Sequence, residues 1–182
     1  MKSTLLFLLC FVVVAPSQGQ SKKKGKQYIV NDKNDTLYYS KVNSALGFKV
    51  TGHKSSGDKI QYDGQNVKFF HNEYALYEVV SEEKINGWNK RNDFLIVMLR
   101  NKENARILAS SQMTMNGGYN YYYYYFDKSG FKGKVDDDNI KEIIASNFSG
   151  CPAFDNEIKD LSGKKIIKKF DELSPVYQKK CQ

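Results

Sequence analysis

Two hydrophobic periods divide this chain: apolar residues alternate with polar ones up to about position 126, and from about position 136 they recur every three to four residues. In the first part, Gln27 to Asn31 and Thr36 to Val42 are rich in Tyr, Ile, Val and Leu. They are separated by Asp32-Lys33-Asn34-Asp35, which predicts a hairpin. Gly47 to Thr51 is a short strand candidate, and Gly52 to Gly57 reads as a loop. Asp58 to Tyr62 is then expected to pair with Asn66 to Phe70 across Asp63-Gly64. Tyr74 to Val80 follows as a strand, and Ser81 to Asn92, polar with Gly87 and Trp88, reads as a connection. Phe94 to Leu99 is apolar without interruption, the mark of a strand covered on both faces, so it is the expected central strand.

Ala105 to Met115 and Tyr119 to Phe126 flank a turn at Asn116-Gly117-Gly118 and complete a three-strand meander. A two-residue turn at either Asn116-Gly117 or Gly117-Gly118 gives the same parity of cross-strand pairing. Under that parity Tyr122, Tyr124 and Phe126 share a face with Ile107, Ala109, Met113 and Met115 and point to the core. Tyr119, Tyr121, Tyr123 and Tyr125 then share the other face with Ser110, Gln112 and Thr114, as the more exposed stripe.

Asp127 to Gly130 reads as a turn, after which the helical period begins. Asp136-Asp137-Asp138 supplies an N-cap and negative charge for a helix carrying Ile140, Ile143, Ile144 and Phe148 on one side. A second helical piece with Phe154, Ile158 and Leu161 starts after Pro152. A last one runs from about Asp171 to Cys181, with Pro175 near its first turn, where proline is tolerated. The expected fold class is α+β: a largely antiparallel sheet, sandwich-like or a partly closed barrel, followed by C-terminal helices.

The N-terminus changes the picture of where such a domain works. Met1-Lys2, an apolar run from Leu5 to Val14 and the small residues Ser17 and Gly19 before Gln20 form the three parts of a secretory signal peptide over residues 1–19. The run is about half of the ~20 residues that span a bilayer as a helix, and no later segment is longer, so the mature chain carries no expected transmembrane segment. The expected localisation is therefore exported: periplasmic, cell-surface or extracellular. Cys10 follows Leu9 rather than a small residue, so it reads as part of the apolar run and not as a lipidation site. Residues 20–26 form a basic leader, expected to be disordered, and residues 27–182 one domain with a β-rich body over 27–130 and a helical segment over 136–182. Removal of Lys2 with the signal lowers the formal charge from +8 to +7. Lys22, Lys23, Lys24 and Lys26 carry four of those charges, which leaves the folded body only mildly basic and argues against nucleic acid as a partner. Cys151 and Cys181 remain, an even pair that an oxidising compartment makes a disulfide candidate.

Gln27-Tyr28-Ile29-Val30, Asn34-Asp35-Thr36-Leu37-Tyr38, the Asp-Gly turn, the apolar central strand and the closing Phe148-Ser149-Gly150-Cys151-Pro152 and Tyr177-Gln178-Lys179-Lys180-Cys181 together resemble a group of exported bacterial proteins with no assigned activity. The resemblance spans most of the mature chain. It implies a β-rich body, a helical C-terminal segment and pairing of Cys151 with Cys181. The tyrosine run from Tyr121 to Tyr125 is denser than in that pattern.

Chemistry is sparse. The two histidines, His53 and His71, sit in loop or strand-end contexts, no G-x-S-x-G or C-x-x-C occurs, and no glycine-rich phosphate loop is present. The acidic clusters at Asp32 to Asp35 and Asp136 to Asp138 lack a calcium loop's glycine and closing glutamate together, so neither a metal nor a cofactor is expected. Acidic residues otherwise fall in turns and helix caps, which leaves a carboxylate-based hydrolase as an unmarked alternative and a purely structural envelope role as another. The candidate binding residues are Tyr119, Tyr121, Tyr123 and Tyr125, because aromatic rows stack on sugar rings or accept a protein partner at low entropy cost. Tyrosine also has high strand propensity, and the C-terminal helices are the obvious cover for that face. The leading reading is a non-enzymatic exported binding module, with a glycan or an envelope protein as partner.

Overall fold

The computed structural model describes residues 26–45, 48–81 and 92–181. The expected signal peptide over residues 1–19, residues 20–25 of the expected basic leader, Gly47 and the connection around Gly87 and Trp88 lie outside the described residues. The fold is α+β, with eleven strands in two antiparallel sheets, four C-terminal helices and no closed barrel among the described residues. The large sheet takes β1 (Gln27–Asn31), β2 (Thr36–Tyr39), β6 (Val67–His71), β7 (Leu76–Ser81), β8 (Asn92–Arg100), β9 (Arg106–Met113), β10 (Tyr119–Asp127) and β11 (Gly130–Val135) in the order β11-β10-β9-β8-β7-β6-β1-β2. The small sheet is β3 (Lys41–Ala45), β4 (Lys49–His53) and β5 (Lys59–Asp63).

One row of directly paired residues crosses the large sheet, with one residue from each strand: Leu37, Ile29, Phe70, Tyr77, Ile96, Ala109, Tyr123 and Val135. Directly paired residues share a face, so this row marks the face that needs cover. Two separate bodies supply it. The small sheet lays Val42 and Val50 against Ile29, Val67 and Phe70 at one end. At the other end α1 (Ile140–Asn147), α2 (Pro152–Ile158), α3 (Gly163–Lys168) and α4 (Phe170–Lys180) bury Ile140, Ile144, Phe148, Phe154, Phe170 and Tyr177 against Ile107, Ala109, Tyr123 and Val135. The β8 strand is fourth from one edge and buries Leu95 and Val97 into one cluster and Met98 and Leu99 into another, as its unbroken apolar sequence predicts.

Several local expectations are corrected. The strand expected over Thr36 to Val42 breaks at Ser40, where the chain passes from the large sheet into the small one. The Asp58 to Tyr62 segment does not pair with Asn66 to Phe70: β5 pairs with β4, and β6 pairs with β1 and β7. Gly64–Asn66 forms a 3₁₀ turn between them, held by the Asp63 carboxylate accepting from Gln65 N–H, and Gly64 sits where a Cβ would enter the Phe48 ring. Alternation within a strand does not say which sheet it joins. The strand β11 and the helix α3 were not foreseen. The acidic triplet builds an Asx turn rather than a helix cap, with the Asp136 carboxylate accepting from Asp138 and Asn139 N–H just before α1.

The largest correction concerns the tyrosine hairpin. Tyr119 pairs with Met113, and Thr114 and Gly118 are hydrogen-bonded, so three residues, Met115-Asn116-Gly117, turn the chain, with Gly117 at φ +78°. One extra turn residue reverses the parity and moves every side chain to the opposite face. The odd-numbered tyrosines therefore join Ile107 and Ala109 on the helix-covered face, and Tyr122 and Tyr124 join Ser110 and Leu108 on the other.

Cys151, which caps α2, and Cys181, which ends α4, form a disulfide with Cα atoms 5.6 Å apart. Replacing both cysteines by alanine is expected to lower stability by about 3 kcal/mol, the entropy returned to an unfolded chain freed of a 30-residue loop. An unchanged unfolding midpoint in denaturant would count against that role. Gly163 opens α3 with its Cα packed so closely that a Cβ would lie 1.9 Å from the Asp137 carbonyl oxygen. Gly163→Ala should destabilise by about 1–3 kcal/mol, read as a lowered melting temperature; a variant as stable as the parent shows that the contact yields.

Candidate functional site

Between the two covers the row is only half-buried at Tyr77 and Ile96, and there a cleft of about 630 Å³ opens. Tyr77, Ile96, Ser111 and Tyr121 belong to its floor, one wall is the α4 stripe Asp171, Ser174, Pro175 and Gln178, and the opposite wall is the β6–β7 turn with Tyr74 and Ala75. Tyr119 stands at its end.

The α4 wall exists because β8 carries a bulge. Val97 pairs with Leu108 and Leu99 with Ile107, so Met98 has no partner in the ladder. Buried carbonyls need donors, and α4 supplies them. Ser174 Oγ donates to the Met98 carbonyl at 2.6 Å, and Gln178 Nε2 donates to the Val97 and Met98 carbonyls at 2.8 and 3.2 Å. Residues four apart lie on one helix face, so the same stripe that docks α4 also presents Asp171 and Gln178 to the cleft. The opposite wall is an Asx turn: the Asn72 side-chain oxygen accepts from Tyr74 and Ala75 N–H at 2.8 and 3.0 Å. Tyr77 also hydrogen-bonds Asn72, and its ring stacks on Phe70 at 4.6 Å between centroids. Burial pushes the Tyr77 hydroxyl above the usual phenol range, so it remains a neutral donor and acceptor. Tyr74 is 81% exposed, and the Glu73 carboxylate, its hydrogen-bond partner, raises its pKa.

The four tyrosines singled out in the sequence divide into two pairs. Tyr119 and Tyr121 line the cleft, 58% and 38% exposed. Tyr123 is buried edge-on against Phe170, and burial first, then the nearby Asp171 carboxylate, raises its pKa. The Tyr125 hydroxyl donates to Asn147 Oδ1 at 2.8 Å, which ties β10 to α1. Exposure falls with distance from the turn rather than alternating with parity. Tyr74, Tyr77, Asp171 and Gln178 were missed by sequence reasoning; a polar stripe at positions 171, 174, 175 and 178 is visible in the sequence, yet its placement over the β8 bulge is not.

Neither histidine lines the cleft. His71 stacks on Tyr28 with centroids 5.5 Å apart, and burial lowers its pKa. His53, in β4, lies 3.4 Å from the Asn43 amide. On the other face of the large sheet Glu78 and Arg106 form an ion pair at 2.8 Å, with Arg106 over the Phe126 ring. Burial pushes the Glu78 carboxyl up and Arg106 pulls it back. A polar cavity beside Asn101 and Cys181 and an apolar one between α1, α2 and α3 measure about 320 Å³ each. None of these three cavities is lined by two carboxylates or by a carboxylate with His71, and no group of three metal-ligating side chains occurs among the described residues.

Gln178→Ala leaves the Val97 carbonyl without its donor and weakens the hold on Met98. It is expected to cost about 1–3 kcal/mol and to speed hydrogen exchange along α4; unchanged exchange would mean that the disulfide and Phe170 alone hold the helix.

Comparison of the chain with protein-family models, with curated proteins and with solved structures finds no match.

Proposed function

We propose that this protein is an exported, non-enzymatic binding module that holds a glycan in the cleft between α4 and the β6–β7 turn. Export is supported by the three-part leader in the sequence and by a disulfide of the kind that persists in oxidising compartments. The observation that carries the glycan reading is the lining itself: Tyr74, Tyr77, Tyr119 and Tyr121 around one open cavity of about 630 Å³.

Sugar rings offer flat C–H faces and a rim of hydroxyls. Tyrosine answers both, with a ring that covers apolar area and a hydroxyl that hydrogen-bonds. Ser111 and the Gln178 carbonyl oxygen add polar contacts of the fixed, sparse kind that orient a ligand. The site lies against a paired sheet and a helix pinned to it, so little ordering is needed on binding.

Tyr119→Ser combined with Tyr121→Ser is expected to weaken binding to the best ligand of a glycan screen roughly tenfold or more. Tyr125→Phe, which alters only the contact to Asn147, should leave binding unchanged. Equal affinity of the double variant and the parent removes the cleft as the site, and a screen in which no glycan binds the parent overturns the reading as a whole.

A further inference from the structure

We infer that the glycan held in this cleft is an amino sugar polymer with free amines, whose ammonium group sits between the Asp171 carboxylate and the tyrosine rings. The inference rests on the glycan reading above and adds the charge of the ligand.

Among the described residues Asp171 is the only charged one that lines the cleft, in a chain of formal net charge +8. It makes no hydrogen bond or ion pair among the described residues, although it lies close enough to Tyr123 to raise that hydroxyl's pKa. Its place in the first turn of α4 suits a carboxylate at that end of a helix dipole. The other polar groups on the α4 wall are committed in one direction. Gln178 Nε2 and Ser174 Oγ both donate to β8 carbonyls, so what the Gln178 amide has left to offer a ligand is its carbonyl oxygen, an acceptor. A second carboxylate, Glu73, is bonded to Tyr74 on the opposite wall. The cleft therefore offers acceptors and negative charge, and its tyrosine rings add the negative faces of their π systems, which attract cations.

That lining selects among sugars. A uronic acid or a sulfated glycan would bring its anion against Asp171, with no cation among the described lining residues to meet it. An N-acetyl group is neutral, bulkier than an amine and gives Asp171 a single amide donor. A free amine, protonated, brings three donors and a charge to the Asp171 carboxylate.

The test is calorimetric titration of the whole mature chain with glucosamine oligomers, N-acetylglucosamine oligomers of the same linkage and length, and galacturonic acid oligomers. Glucosamine oligomers are expected to bind at least about tenfold more tightly than their acetylated counterparts, with the margin shrinking as salt is raised. Asp171→Asn should erase that margin, because glucosamine oligomers lose a charged contact and acetylated oligomers at most one hydrogen bond. Equal affinity for the two, a preference for the acetylated or acidic oligomers, or a margin that survives Asp171→Asn overturns the inference and leaves the glycan reading standing. Absence of binding to every oligomer and to the wider screen overturns both.

Discussion

The large sheet has more face than any one of its covers can hide. Eight strands at about 4.8 Å spacing make a surface about 34 Å wide, whereas a helix with its side chains covers about 10 Å and three strands little more. The chain answers with two covers, the three-stranded sheet over β1 and β6 and the helices over β8 to β11. They do not meet over Tyr77 and Ile96, and the cleft is what remains. Its position thus follows from strand order: β7 and β8 are central, so the uncovered strip falls in the middle of the sheet, flanked by packed structure on both sides.

A gap left by geometry closes by collapse unless its walls are held. The wall formed by α4 is fixed at three levels. Phe170 packs into the core at its start, Ser174 and Gln178 satisfy the bulged β8 carbonyls along its middle, and Cys181 is tied to Cys151 at its end. The bulge at Met98 is the decisive part, since a regular ladder would consume those carbonyls and leave α4 nothing to grip. The opposite wall is a tight turn stapled by the buried Asn72 side chain. Walls held at this many points favour a cavity that keeps its shape without a ligand, which the proposed binding requires.

Much of this architecture is legible in the sequence because it depends on local period. The change from strands to C-terminal helices, the doubly covered Phe94 to Leu99 segment and the pairing of Cys151 with Cys181 are each present in the structure, although the strands run on through β11 to Val135. What was illegible depends on long-range partnership. The Asp63-Gly64 pair looks like a hairpin turn, yet the β6 strand beyond it finds β1 and β7 while Asp63 stays with β4 in the other sheet. The tyrosine parity failed for a local reason: Gly117 and Gly118 both permit a turn, and only the ladder shows that three residues rather than two lie between paired positions. The candidate site failed in proportion. Tyr119 and Tyr121 were found, but the α4 stripe and the turn at Tyr74 enter only once strand order is known.

The run from Tyr119 to Phe126 shows why one residue type serves core and surface in a single strand. On the helix-covered face Tyr123 and Tyr125 lie under α1 and α4, where burying a ring is favourable only if its hydroxyl is satisfied or still reaches a polar rim; Asn147 meets Tyr125, and Tyr123 lies beside Asp171 at the edge of α4. Two residues nearer the turn, the helices no longer reach, and Tyr121 and Tyr119 carry the same row into the open cleft. A run of leucine or valine would fill the buried half equally well and leave a purely apolar strip where the cover ends, a liability for association. Tyrosine resolves that conflict, because each ring keeps a polar tip. The dense run therefore marks the point where the β10 strand passes out from beneath its cover, and an amphipathic ligand fits that boundary better than an apolar one.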